Sequence, residues 1–87
     1  MLDIIKELKS KEDCYRSYVK IEVLTLLSKI IDSTTAKKTT KIKLSVIKSE
    51  IELIWFDYRS LHLGNQKSHD LINTCLKMAL SVINENQ

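Results

Sequence analysis

Apolar residues recur along most of this chain at intervals of three and four, the spacing that places side chains on one side of an α-helix. The pattern predicts helices near residues 2–9, 11–31, 40–63 and 67–84, the first two either separate or fused. The third helix has the most regular row: Leu44, Ile47, Ile51, Ile54, Tyr58 and Leu61. A row of this kind packs against a neighbouring helix. The second helix has one apolar side made by five residues: Val19, Val23, Leu26, Leu27 and Ile30.

The predicted breaks carry residues that interrupt helices. Small hydroxyl residues fill much of 33–40, Gly64 can close the third helix, and Ser10 resembles a helix N-cap. Residues 40–46 also alternate like a strand, but no second run of comparable strength could pair with them. With no Pro and one Gly in 87 residues, we predict one domain, 1–87. It is an all-α, small antiparallel bundle of three long helices and a short N-terminal one, which together could form a four-helix bundle.

The third helix has a second apolar stripe on the half opposite the first. Three or four helices cannot easily enclose both sides of the third one. The second stripe could therefore be covered by the short first helix, by a second copy of the chain, or by a different protein. We expect a non-enzymatic protein-binding module, with Phe56 as the anchor and these residues as the binding face: Val46, Leu53, Trp55 and Phe56.

Positive charge is concentrated before and within the third helix. The formal net charge is +3, and no acid occurs from Ser33 until Glu50, while five lysines fall there: Lys37, Lys38, Lys41, Lys43 and Lys48. The segment is either a solvated surface or a contact for anions. Weak, nonspecific nucleic-acid binding is therefore the alternative function, since base readout usually needs Arg, Asn or Gln on a recognition helix.

The residues that could support catalysis do not form a recognised motif. Arg59 and His62 lie near the predicted end of the third helix, where they suit the helix dipole. His62, His69 and Cys75 lack a recognised metal-ligand spacing. Cys14 and Cys75 are interpreted as buried free thiols. We therefore expect no enzymatic activity, cofactor or metal.

No apolar run reaches the roughly 18–20 residues that span a bilayer. Asp3 and Lys6 interrupt the N-terminal segment where a signal peptide would continue its apolar core. The expected location is the cytoplasm.

The arrangement of helices and turns resembles that of the immunity proteins that protect producers of pediocin-like bacteriocins, which are small cytosolic helical bundles. The similar features are the opening Ile4-Ile5-Lys6-Glu7-Leu8, the helix at 21–31, the aromatic-rich Ile51-Glu52-Leu53-Ile54-Trp55-Phe56-Asp57-Tyr58 and the polar turn into the last helix. The resemblance implies an immunity or inhibitor function exerted by binding another protein.

Overall fold

A computed structural model describes residues 2–59 and 65–85. It contains four helices: α1 (Leu2–Lys9), α2 (Val19–Ile31), α3 (Lys38–Leu53) and α4 (Gln66–Glu85). These described residues include no strand, and Thr40–Val46, which alternates like a strand, is helical. The prediction of a small all-helical bundle is confirmed. Leu61, His62, Leu63 and Gly64, which entered the sequence predictions, lie outside the described residues.

The connection from α1 to α2 is longer than predicted. Asp13 has a φ of 56°, in the left-handed region that interrupts a right-handed helix. Its backbone N–H donates to Asn73 Oδ1 (2.9 Å), and Asn73 Nδ2 donates back to Asp13 Oδ1 (2.9 Å). Ser10 does not start a helix, because its hydroxyl donates to the Glu7 carbonyl at the end of α1. The predicted helix start at residue 11 is therefore wrong, and α2 begins at Val19 and ends at Ile31, the predicted end.

Helix α3 ends ten residues before the predicted position of 63. The backbone of Ile54 is already extended, with a φ of −73° and a ψ of 119°. Lys20 Nζ on α2 donates to the carbonyl oxygens of Ile54 (2.6 Å) and Glu52 (3.3 Å), which lie at the end of α3. A cation at this position satisfies terminal carbonyls and complements the helix dipole. A tertiary contact thus caps the helix where local sequence favoured its continuation.

Consecutive helices run in opposite directions. Lys20, near the start of α2, contacts the end of α3, and Ser68, near the start of α4, donates its hydroxyl to the Trp55 carbonyl just after α3. The turn after α1 pairs with Asn73 in the first half of α4, whereas α1 itself shares a groove with Leu80 and Asn84 in the second half. The bundle is therefore antiparallel.

The core is made by one side of each helix. All five residues of the predicted inner side of α2 are buried: Val19, Val23, Leu26, Leu27 and Ile30. Leu44, Ile47 and Ile51 of α3 are buried too, so the predicted inner row of α3 is confirmed as far as the helix extends. Leu8 comes from α1, and α4 contributes these: Ile72, Leu76, Ala79 and Ile83.

Candidate protein-binding face

Helix α3 has a second row of apolar residues, and this row faces solvent. Ile42 is 57% exposed, Val46 56% and Leu53 85%. These three residues and the exposed Ser49 are separated by steps of four, three and four, so they lie within about 60° of arc around the helix. We call Ile42, Val46, Ser49 and Leu53 the outer face of α3. Trp55, 70% exposed, lies just beyond its end.

Phe56 does not belong to this face, and its prediction as the interface anchor is wrong. Its side chain is only 8% exposed and is part of the core. The prediction projected residue 56 onto a continuous helix, but α3 ends at Leu53. The extended backbone that follows directs Phe56 inward, while the neighbouring Trp55 remains outside. Val46, Leu53 and Trp55 are exposed, as a binding face requires.

Phe56 lies in a cluster of rings that sequence reasoning did not anticipate. Its ring is 4.9 Å from that of His69 and 5.1 Å from that of Tyr58, measured between centroids. His69, itself buried, is 5.2 Å from the ring of Tyr15, and Tyr18 stacks on Tyr58 at 6.0 Å. Edge-to-face and offset stacks are favourable ring arrangements. The cluster joins three separate segments, and the paired aromatics at 15 and 18 and at 56 and 58 were its sequence signal.

Hydrogen bonds fix the turn that follows α3. The buried Asn65 accepts from the Asp57 backbone N–H (3.0 Å) and donates to the Asp57 carbonyl (2.8 Å). Ser68 binds the carbonyl of Trp55. Because both ends of this short segment are tied to the N-terminal part of α4, the exposed indole of Trp55 is held beside the outer face by a defined backbone.

One flank of the outer face borders α4. Glu50 lies on this flank and interacts electrostatically with Cys75 of α4. Partial burial, and secondly this carboxylate, raise the pKa of the Cys75 thiol. Leu71 and Met78, one helical turn on either side of Cys75, are both exposed. They add exposed apolar area on α4, beyond the flank that carries Glu50.

Three of the five lysines of the basic segment, Lys38, Lys41 and Lys48, project within about 80° of one another around α3, and Lys43 projects away from them. Lys37 and Lys38 are exposed at the start of α3, and Lys43 projects about 160° away from Lys41 around the helix. Lys48 Nζ lies 3.9 Å from Glu52 Oε1, which offsets part of its charge. The predicted anion contact would therefore be limited to one flank of α3, with Lys43 outside it and the charge of Lys48 partly offset.

Arg59 and the two cysteines are further sequence candidates for chemistry within the described residues. Arg59 Nε contacts its neighbour Asp57 at 3.3 Å. Cys14 and Cys75 are free thiols, as predicted, but each is half-buried, so the expectation of full burial is wrong. In residues 2–59 and 65–85, no group of three His, Cys, Asp or Glu residues could hold a metal ion. Within the same residues, no helix is long and apolar enough to cross a membrane.

Helices α1 and α4 border an open groove of about 490 Å³. Apolar residues such as Ile5 and Leu80 line it together with Lys6, Lys9 and Lys77. Sites that bind small molecules usually enclose most of the ligand surface. This groove is open to solvent and would leave much of a small ligand uncovered, so the outer face of α3 is the stronger candidate site.

No protein-family model, curated protein or solved structure matched this chain.

Proposed function

We propose that this chain is a non-enzymatic protein-binding module that acts through the outer face of α3 and the adjacent Trp55. The observation that carries the proposal is the row of large apolar side chains at Ile42, Val46 and Leu53, each more than half exposed. Single exposed apolar residues are ordinary on protein surfaces, but several large ones aligned on one helix face, here interrupted only by Ser49, are typical of an interaction site.

The position of Trp55 supports this assignment. Tryptophan is enriched among residues that dominate binding energy, because its large ring buries much area while few rotatable bonds are fixed. Trp55 is 70% exposed, although the core lies one residue away at Phe56. Its backbone is held by Ser68, so binding would not need to order this segment first.

The proposal includes two classes of partner, a second copy of the chain and a different protein. An immunity function of the kind that the resemblance to bacteriocin immunity proteins implies would belong to the second class. The chain would then act as an inhibitor in the cytoplasm. Nonspecific nucleic-acid binding through Lys37, Lys38, Lys41, Lys43 and Lys48 is the less favoured alternative, because Lys43 projects away from the other helical lysines and Lys48 is paired with Glu52.

Photo-crosslinking in the native host cells tests the proposal. Benzoylphenylalanine in place of Leu53 would be compared with the same group in place of Lys29, an exposed residue of α2. We expect discrete protein adducts from position 53 and none from position 29. Adding Val46→Asp to the position-53 variant should remove the adducts, because a carboxylate in the middle of an apolar interface is desolvated without a partner.

Two results would contradict the proposal: no protein adduct from position 53, or adducts that persist unchanged with Val46→Asp. A titration with duplex and single-stranded nucleic acid at low salt tests the alternative separately. Binding there that is lost when Lys37 and Lys38 are replaced by Gln, together with no protein adduct, would favour the nucleic-acid function.

A further inference from the structure

The outer face of α3 has the spacing of a coiled-coil seam. Steps of four, three and four residues correspond to alternating a and d positions of a heptad repeat, with Val46 and Leu53 at a and Ile42 and Ser49 at d. The inner row of Leu44, Ile47 and Ile51 already packs in the core. Helix α3 therefore has two seams, one for its own bundle and one that remains exposed.

Charged residues flank the exposed seam in an order that distinguishes between a parallel and an antiparallel partner helix. Lys43 and Glu50 lie on the flank next to α4, at the two e positions, while Ser45 and Glu52 lie on the other flank, at g positions. Side chains of Lys43 and Glu50 are exposed. Across residues 2–59 and 65–85, neither of them makes an ion pair with another residue.

A second copy of α3, placed antiparallel, complements this order. In antiparallel coiled coils a positions face d positions, and e positions face e positions. With Val46 opposite the partner's Ser49, Ile42 faces the partner's Leu53. The same register brings Lys43 beside the partner's Glu50, and two-fold symmetry repeats that pair. The second flank brings Ser45 beside the partner's Glu52, which is not repulsive.

A parallel copy would not be complementary. In parallel pairs a g residue faces the e residue five positions later in the other helix. That register would set Lys38 beside the partner's Lys43 and Ser45 beside the partner's Glu50. It would join like charges and form no attractive pair, so the flanking residues favour the antiparallel orientation.

The apolar area is adequate for a stable interface. Six exposed apolar residues lie on the outer face, at its end or on the neighbouring helix α4: Ile42, Val46, Leu53, Trp55, Leu71 and Met78. Contributions on the order of 100 Å² from each, counted on both copies, reach the roughly 1,000 Å² that a specific interface needs.

We infer that the chain forms a two-fold symmetric homodimer by antiparallel pairing of α3, in which Lys43 of each copy pairs with the partner's Glu50. The inference rests on the proposed function, because it names the partner of the same face. Trp55, the one tryptophan of the chain, lies beyond the seam where the start of the partner's α3 would cover it. Its emission therefore reports on association.

Sedimentation velocity and Trp55 emission on the purified chain, from about 1 µM to about 500 µM, test the dimer. We expect the sedimenting mass to approach twice 10.1 kDa with rising concentration. Emission should shift to shorter wavelength over the same range. Val46→Asp should give a monomer at every concentration with unchanged helicity, since this side chain is exposed within its own bundle.

Charge exchange tests the antiparallel register. Lys43→Glu or Glu50→Lys alone places two like-charge pairs across the interface and should weaken association about tenfold or more. Combining both substitutions recreates two attractive pairs and should restore the wild-type dissociation constant within about threefold. Lys29→Glu on α2 is the matched control for a change in net charge and should leave association unaltered.

A wild-type chain that stays monomeric throughout the concentration range overturns the homodimer. So does a dimer that the single charge reversals do not weaken, or one that the double variant does not restore. Crosslinking from position 53 separates this failure from that of the proposed function. Adducts with a different protein would leave the binding face in place with another partner, whereas no adducts of either kind would reject both.

Discussion

Phe56 and Trp55 are neighbours in the chain but have opposite environments, and this difference gives a sharp prediction for Phe56→Ala. The Phe56 ring is 8% exposed and contacts the rings of Tyr58 and His69. Burial of roughly 150–200 Å² of ring, at about 25 cal/mol per Å², contributes about 4–5 kcal/mol. Large-to-small substitutions of buried aromatic residues cost about 3–5 kcal/mol, which agrees with that figure.

This loss is large relative to the stability of so small a domain. For 87 residues, typical values of roughly 0.05–0.15 kcal/mol per residue give a free energy of unfolding of about 4–13 kcal/mol. We therefore expect Phe56→Ala to lower the urea midpoint strongly or to abolish cooperative unfolding, as monitored by circular dichroism at 222 nm. Measurements at about 1 µM would minimise any contribution from association.

Trp55→Ala is the matched control, because the ring it removes is 70% exposed. It should change the free energy of unfolding of the monomer by less than about 0.5–1 kcal/mol, the usual range for surface substitutions. A loss below about 1 kcal/mol for Phe56→Ala, or a larger loss for Trp55→Ala, would refute the division of this segment into an inner and an outer ring.

Three further predictions concern the contacts that shape the bundle. Lys20→Met should lower the free energy of unfolding by about 1–3 kcal/mol in urea denaturation, because the Ile54 carbonyl loses a charged donor; an unchanged midpoint would reject this cap. Asn73→Leu removes both hydrogen bonds to the left-handed turn after α1 and should lower the free energy of unfolding by about 1–3 kcal/mol. Amide hydrogen exchange should rise first in that turn, and a uniform rise along the chain would argue against a local role. In a Cys14→Ser variant, alkylation of Cys75 should have its midpoint at a higher pH in the folded protein than in urea, since burial and then Glu50 raise the pKa of the thiol. Glu50→Gln should move this midpoint partly back, and a midpoint equal to that in urea would contradict both causes.

Local periodicity predicted the parts of the fold that depend on one side of a helix. The inner side of α2 is the clearest case, because each of its five predicted core residues is buried. Residues 40–46 were ambiguous by pattern alone, and helix was the correct choice since a lone strand leaves backbone groups unpaired. On α3 the second apolar stripe was also recognised, and its members Val46 and Leu53 are exposed as expected.

The errors occur where contacts distant in sequence decide the backbone. Nothing in residues 50–58 alone stops a helix at Leu53; Lys20, more than thirty positions earlier, supplies the cap. Similarly, the left-handed conformation of Asp13 is held by Asn73, sixty positions later. Periodicity analysis has no access to such pairs. The assignment of Phe56 to the wrong side followed directly from the first of these errors.

The early end of α3 strengthens the case for a binding face even though it removed the predicted anchor. Had the helix continued, Phe56 would have projected from its outer half, whereas Trp55, four residues after the buried Ile51, would have lain nearer the core. Because the chain turns after Leu53, one ring completes the core while the other stays outside, next to a seam that the bundle leaves uncovered. Surface apolar residues that were merely tolerated would not need heptad spacing, nor flanking charges that are complementary in only one orientation. Those two features can be separated by experiment, since Val46→Asp disrupts the apolar seam and the exchange of Lys43 with Glu50 tests only the charge order.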